Sequence, residues 1–187
     1  MSDTPKRKRG RERERPGPYR WAVQVFFLAI VLSAALSLAS ETSLSGAGAA
    51  AAALVLAVFI GLGILFDIIG VAVTAADPRP FHSMAAHKEP GAKEALMLLR
   101  NAGRVSSVCN DVVGDICGIV SGTTTAVIVV RLQAAFSLPE SVLLSVAVTA
   151  LVSGLTIGGK ALGKTFAIQR STSVVYWAGR FLHLFHR

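Results

Sequence analysis

Cysteine is scarce in this chain: there are two in 187 residues, Cys109 and Cys117. On a helix their spacing amounts to roughly 12 Å, beyond disulfide reach, and neither belongs to a zinc-ligand pattern. A disulfide framework and a zinc site are therefore excluded. Acidic residues are also few, 11 against 19 Lys and Arg. No Ser, His and Asp arrangement, phosphate loop or zinc motif occurs at usable spacing, so the chain offers no basis for an enzyme.

Charge of either sign is missing altogether from long stretches. Trp21 to Ala39, Ala47 to Phe66 and Ser141 to Gly159 carry none. Ile116 to Val130 carries none either, and this run reaches back to Val105 if two Asp are admitted. A bilayer core about 30 Å thick is crossed by about 20 helical residues, and open strands in lipid would leave backbone groups unpaired. With 52% hydrophobic residues and a mean hydropathy of +0.57, the chain is expected to be an all-α integral membrane protein. Its transmembrane domain, 21–159, has four spans at about 21–39, 47–76, 105–130 and 139–159. The first span is not expected to be a cleaved signal: 20 mostly polar residues precede it and no A-x-A site follows.

What charge there is lies at the span ends. Eight basic residues precede the first span, five lie in the 77–104 loop and five follow the fourth span, leaving only Arg131 elsewhere. Basic residues near span ends stay cytoplasmic. This predicts a multi-pass protein of the cell membrane with both termini and the 77–104 loop inside, and with Glu41 and Glu140 near the outer surface. Lys6-Arg7-Lys8-Arg9 has the composition of a nucleic-acid patch. However, Arg11-Glu12-Arg13-Glu14-Arg15 alternates in sign, and Pro16 and Pro18 interrupt any helix. Residues 1–20 therefore read as a disordered tail that sets topology and attracts anionic lipid headgroups, with no nucleic-acid partner.

Asp77-Pro78-Arg79-Pro80 should stop the second span. A short helix on the inner membrane surface is expected over Ala92 to Asn101, with Ala92, Leu96 and Leu99 on one side and Gly103 as its stop. His82 and His87 lack ligand spacing. Residues 160–187 read as a basic amphipathic segment on the membrane surface, broken near Ser171 to Ser173. A fifth span is the alternative.

Asp67, Asp111 and Asp115 stand out because an Asp inside a span costs roughly 2.5 to 3.5 kcal/mol and usually faces a bundle interior or a watery cavity. Gly63, Asp67, Gly70 and Thr74 follow i, i+4, i+7, i+11 spacing, and Asp111, Asp115, Gly118 and Gly122 repeat it. Gly114, Gly118 and Gly122 add a small-residue series that permits close helix approach. Ser33, Ser37 and Ser40 line one face of span one, and Ser141, Ser145, Thr149, Ser153 and Thr156 nearly line one face of span four. Counted from the cytoplasmic ends, Asp67 and Asp115 lie about 15 Å deep and Asp111 about 9 Å, so antiparallel neighbours could gather all three. No Lys or Arg inside the runs is expected to neutralise them.

Carboxylates with the oxygens of Asn110, Ser106, Ser107, Thr74 and Ser121 suit a hard cation such as Mg²⁺. The acids read as a cation or proton pathway, the rival readings being protonated Asp serving helix packing alone and acids lying nearer the interface. Asp67-Ile68-Ile69-Gly70-Val71 also matches Asp115-Ile116-Cys117-Gly118-Ile119 in oppositely directed helices, in the manner of an inverted repeat around a shared site.

Phe66-Asp67-Ile68-Ile69-Gly70-Val71-Ala72-Val73-Thr74, Asn110-Asp111-Val112-Val113-Gly114-Asp115 and Ala39-Ser40-Glu41-Thr42 resemble the transmembrane portion of CorB/CNNM-type magnesium and cobalt transporters, over roughly residues 20–160. The family's CBS-domain pair has no counterpart in these 187 residues. The resemblance implies cation binding and adds Ser40 and Glu41 to Asp67, Asp111, Asp115 and Asn110 as metal-site residues. The expectation is a homo-oligomer, because four helices enclose little polar space, that binds and moves a divalent cation. The alternative is a non-transporting scaffold whose basic ends and 77–104 loop bind a partner.

Overall fold

The computed structural model describes residues 18–46, 48–136 and 142–185. The basic tail before Pro18, Glu140, Ser141 and Arg187 lie outside the described residues. Helix α1 (Pro18–Leu44) opens on proline, whose fixed φ suits a first helical position. It is followed by α2 (Ala49–Ala75), α3 (Arg79–Ala86) and α4 (Ala92–Arg100). Next, α5 (Ala102–Ser107), a π-helical segment (Val108–Gly114) and α6 (Asp115–Ala135) make one rod of 34 residues. Helices α7 (Val142–Gln169) and α8 (Ser171–Phe185) complete the described residues.

Four of these are long and apolar enough to cross a membrane: α1, α2, the α5–α6 rod and α7. The protein is an all-α membrane protein. Its outward residues fit that solvent, since Phe26, Phe27, Leu143, Leu151 and Ile157 are all more than half exposed.

Helix α2 is the central element. A Cβ added to Gly63 would lie 3.3 Å from Cys117, and one added to Gly70 would strike the Asn110 amide, so α2 and the rod run antiparallel in close contact. Gly159 packs under Ile64 and Gly163 under Ile68, which brings α7 alongside α2 in the same direction. Helix α1 lies beside α6, joined by the Ser40 and Thr124 hydroxyls 3.3 Å apart. Apolar cores stack along α2. Phe59 packs with Val112, Ile116 and Val120; toward the α4 end Val73 meets Phe81, Leu96, Ala167 and Val175; at the opposite end Leu56 meets Leu44 and Ile128.

Several expectations about the helices change. The fourth span does not hand over to a surface segment at 160. It runs to Gln169 before the chain turns at Arg170, because Leu162, Phe166 and Ile168 continue its apolar faces while Gly163 and Ala167 pack inward. The second span is followed by an unanticipated helix, α3, started by Pro80 in its first turn and anchored by fully buried Phe81. Gly103 does not stop α4. Asn101 ends that helix, and Gly103 lies within α5.

Helix α4 buries Ala92, Ala95 and Leu96 against the protein, where Leu99 joins them in part. Its neighbour is α8. Gly91, at φ +86°, and Gly179 let the two backbones touch, and His183 Nδ1 lies 2.8 Å from Glu94 Oε1. At the other end of the bundle Arg131 Nη2 donates to the Leu44 carbonyl at 2.7 Å, satisfying the C-terminus of α1.

Candidate functional site

Gly63, Asp67 and Gly70 share the buried face of α2, as their spacing predicts, whereas Thr74 is exposed and bonds to its own Val71 carbonyl. On the facing rod, Gly114 is buried within 4 Å of both the Asp67 carboxylate and the Lys160 ammonium, measured from an added Cβ. A larger residue at Gly114 would crowd the space in which these charges meet. Lys160 Nζ lies 3.8 Å from Asp67 Oδ1. The expectation that no basic group neutralises the intramembrane acids is thus corrected. Lys160 falls one residue beyond the charge-free run, yet α7 lies parallel to α2 and carries it alongside Asp67.

The pair is unequal in its surroundings. Asp67 is more than nine-tenths buried, while Lys160 is partly exposed. The second oxygen, Asp67 Oδ2, is buried with no hydrogen-bond partner among the described residues, as are Asn110 Oδ1 and Ser121 Oγ. All three are acceptors set along the seam between α2 and the rod. Asn110 packs against Gly70, with its Nδ2 donating to Ser106 Oγ at 3.2 Å.

A cleft of about 490 Å³ opens beside the pair, lined by Gly63, Asp115, Gly118, Ser121, Thr156 and Lys160 together with apolar neighbours. Asp115 therefore joins the site from its rim. Asp111 does not. It is exposed, as are Asp115, Gly118 and Gly122, so the predicted stripe is real as a face, but only Asp115 and Gly118 of it line the cleft. The face that meets α2 is Asn110, Gly114, Cys117 and Ser121 instead.

Ser40 is buried, but it bonds to Thr124, ten residues or about 15 Å along the rod from Gly114. Glu41 is exposed at that same end. Neither approaches Asp67. Among the described residues, no three His, Cys, Asp or Glu side chains cluster closely enough to hold a metal by themselves. Both cysteines are buried and free.

Sequence reasoning overlooked two features: Lys160 and the π-helical segment Val108–Gly114. The Lys160 signal was present in the Gly159 and Gly163 pair flanking it, which permits close approach of α7 to α2. The π segment, a wide turn frequent at functional sites, carries Asn110, Asp111 and Gly114. No spacing in the sequence marks it. Compared with protein families, curated proteins and solved structures, the chain matches none.

Proposed function

We propose that the protein binds a divalent cation, Mg²⁺ by donor chemistry, inside the membrane and moves it across. The observation that carries this reading is Asp67: one oxygen faces Lys160 at 3.8 Å and the other is buried without a partner among the described residues, beside a cleft lined by a second carboxylate, Asp115. A buried carboxylate within a span is expensive and marks ion pathways.

In this arrangement Lys160 is the resident counter-ion. With both acids ionised, the cleft carries a formal charge of about −1 when the ammonium is present and −2 when it swings away, which a divalent cation balances. The 3.8 Å separation exceeds the roughly 2.7 to 2.9 Å of a charge-assisted hydrogen bond, so the attraction to be replaced is Coulombic only. Lys160 also has a long flexible stem and a route toward the exposed side of the cleft. Ser121 Oγ supplies a further hard donor, and Asn110 Oδ1 lies farther along the same seam.

The CorB/CNNM-like residue pattern points to the same cargo. Within that resemblance Asp67, Asp115 and Asn110 keep a role, while Asp111, Ser40 and Glu41 lie outside the cleft. The open face of Asp111, Asp115, Gly118 and Gly122 calls for cover within a bilayer, and a second copy of the chain provides it in the proposed homo-oligomer. The same face also accommodates a non-transporting subunit that docks a partner helix. The basic ends support a cytoplasmic position for both termini.

Equilibrium Mg²⁺ binding to the purified chain tests the site. Asp67→Asn and Asp115→Asn should each weaken binding at least about tenfold, whereas Lys160→Gln should tighten it by removing the competitor. Equal binding by all four proteins would sink the reading.

A further inference from the structure

We propose that the junction of α4 and α5 holds the phosphate of an anionic lipid, through Arg100 and Arg104. A cleft of about 310 Å³ is lined there by Arg100, Asn101, Ala102, Gly103 and Arg104. Among the described residues, no ion pair joins Arg100 or Arg104 to a carboxylate. Two exposed guanidiniums lining one cleft, without a carboxylate partner among the described residues, suit an external anion.

The cleft is constructed rather than incidental. Asn101 Nδ2 donates to the Met97 carbonyl at 3.0 Å, closing the last turn of α4 at the corner between the two helices. Gly103 adds no side chain, and an added Cβ would meet nothing within 4 Å, so the corner stays open. Arg104 is held by its guanidinium lying 4.9 Å over the Trp21 ring at the head of α1. Fixing a guanidinium in this way reduces the side-chain ordering that ligand binding would otherwise require.

Phosphate is the matching chemistry. Each guanidinium offers five N–H donors in a planar fork, and two forks can take several oxygens of one phosphate. The position selects a lipid over a solute. Tyr19 and Trp21 flank Arg20 where α1 enters its stretch of exposed Val23, Phe26 and Phe27, the transition expected at a headgroup level. A headgroup at Arg100 and Arg104 would then leave its acyl chains beside apolar side chains. Basic pockets at the ends of spans bind such headgroups. This inference is independent of the cation reading.

The test is native mass spectrometry of the full chain titrated with phosphatidylglycerol or phosphatidylcholine, with thermal midpoints confirming that each variant folds. Wild type should bind phosphatidylglycerol at least about tenfold tighter than phosphatidylcholine. Arg100→Gln with Arg104→Gln should weaken phosphatidylglycerol binding about thirtyfold, the combined contribution of two basic residues near an anionic surface. Lys164→Gln with Arg170→Gln, an equal loss of charge elsewhere, should change it less than about twofold. Arg104→Lys, which keeps the charge and loses the fork, should retain an intermediate affinity and serves if the double variant does not fold. Equal weakening by the two double variants, or no preference for the anionic lipid, would overturn the proposal. Complete displacement by millimolar inorganic phosphate would overturn the lipid assignment and leave a soluble-phosphate site.

Discussion

At the residue scale, the ion pair between Asp67 and Lys160, 3.8 Å apart, is the contact on which the proposed site rests. Removing the partner of the buried Asp67 leaves its charge uncompensated. Because Lys160 is itself partly exposed, Lys160→Met should destabilise the protein by about 1 to 2 kcal/mol, less than for a fully buried pair. Adding Asp67→Leu should restore most of that loss. Equilibrium unfolding of the single and double variants measures both, and additive losses would contradict the pairing. Gly70→Ala is a second residue-level case. Its Cβ falls on the Asn110 amide and should cost about 1 to 3 kcal/mol, relieved when Asn110→Ala is made in the same chain. Asp67 was legible from the sequence because an acid in an apolar run is conspicuous. Its partner was not, because charge-free runs measure apolarity rather than helix length, and a lysine stem can remain beside apolar surface after its run has ended.

At the scale of elements, the contacts of α8 depend on glycine. A Cβ at Gly179 would lie 2.5 Å from the Gly91 carbonyl oxygen and 2.8 Å from the Ala95 nitrogen, and backbone atoms cannot rotate aside. Gly179→Val should therefore detach α8 from α4 and raise hydrogen exchange across both helices. Gly118→Ala, with nothing within 4 Å, should leave exchange in the monomer unchanged. The helices that cross the membrane were legible from length and apolarity. The break before α8 was legible near Ser171 to Ser173, next to the turn at Arg170, but the fold-back was not, because the covering of α4 by α8 is a tertiary event. The orientation of α6 was half legible. Its 3.6-residue periodicity grouped Asp111, Asp115, Gly118 and Gly122 on one face, but periodicity does not say which neighbour, if any, a face meets.

For the whole molecule, the distribution of basic residues predicts that the α2–α3 and α4–α5 junctions share one side of the bilayer and the α1–α2 junction lies on the other. Cysteine placed at Ser45 or at Ala86, both exposed, in a background lacking Cys109 and Cys117 should react with an impermeant reagent from opposite sides. Labelling from the same side would contradict the four crossings.

The central claim is that Asp67 binds a cation in transit. Its most direct test is Mg²⁺ flux into liposomes carrying wild type, Asp67→Asn or no protein, at matched incorporation. The account predicts wild-type flux well above protein-free vesicles and a loss of at least about tenfold in Asp67→Asn. Wild-type flux equal to that of empty vesicles, or an Asp67→Asn variant as fast as wild type, would contradict it.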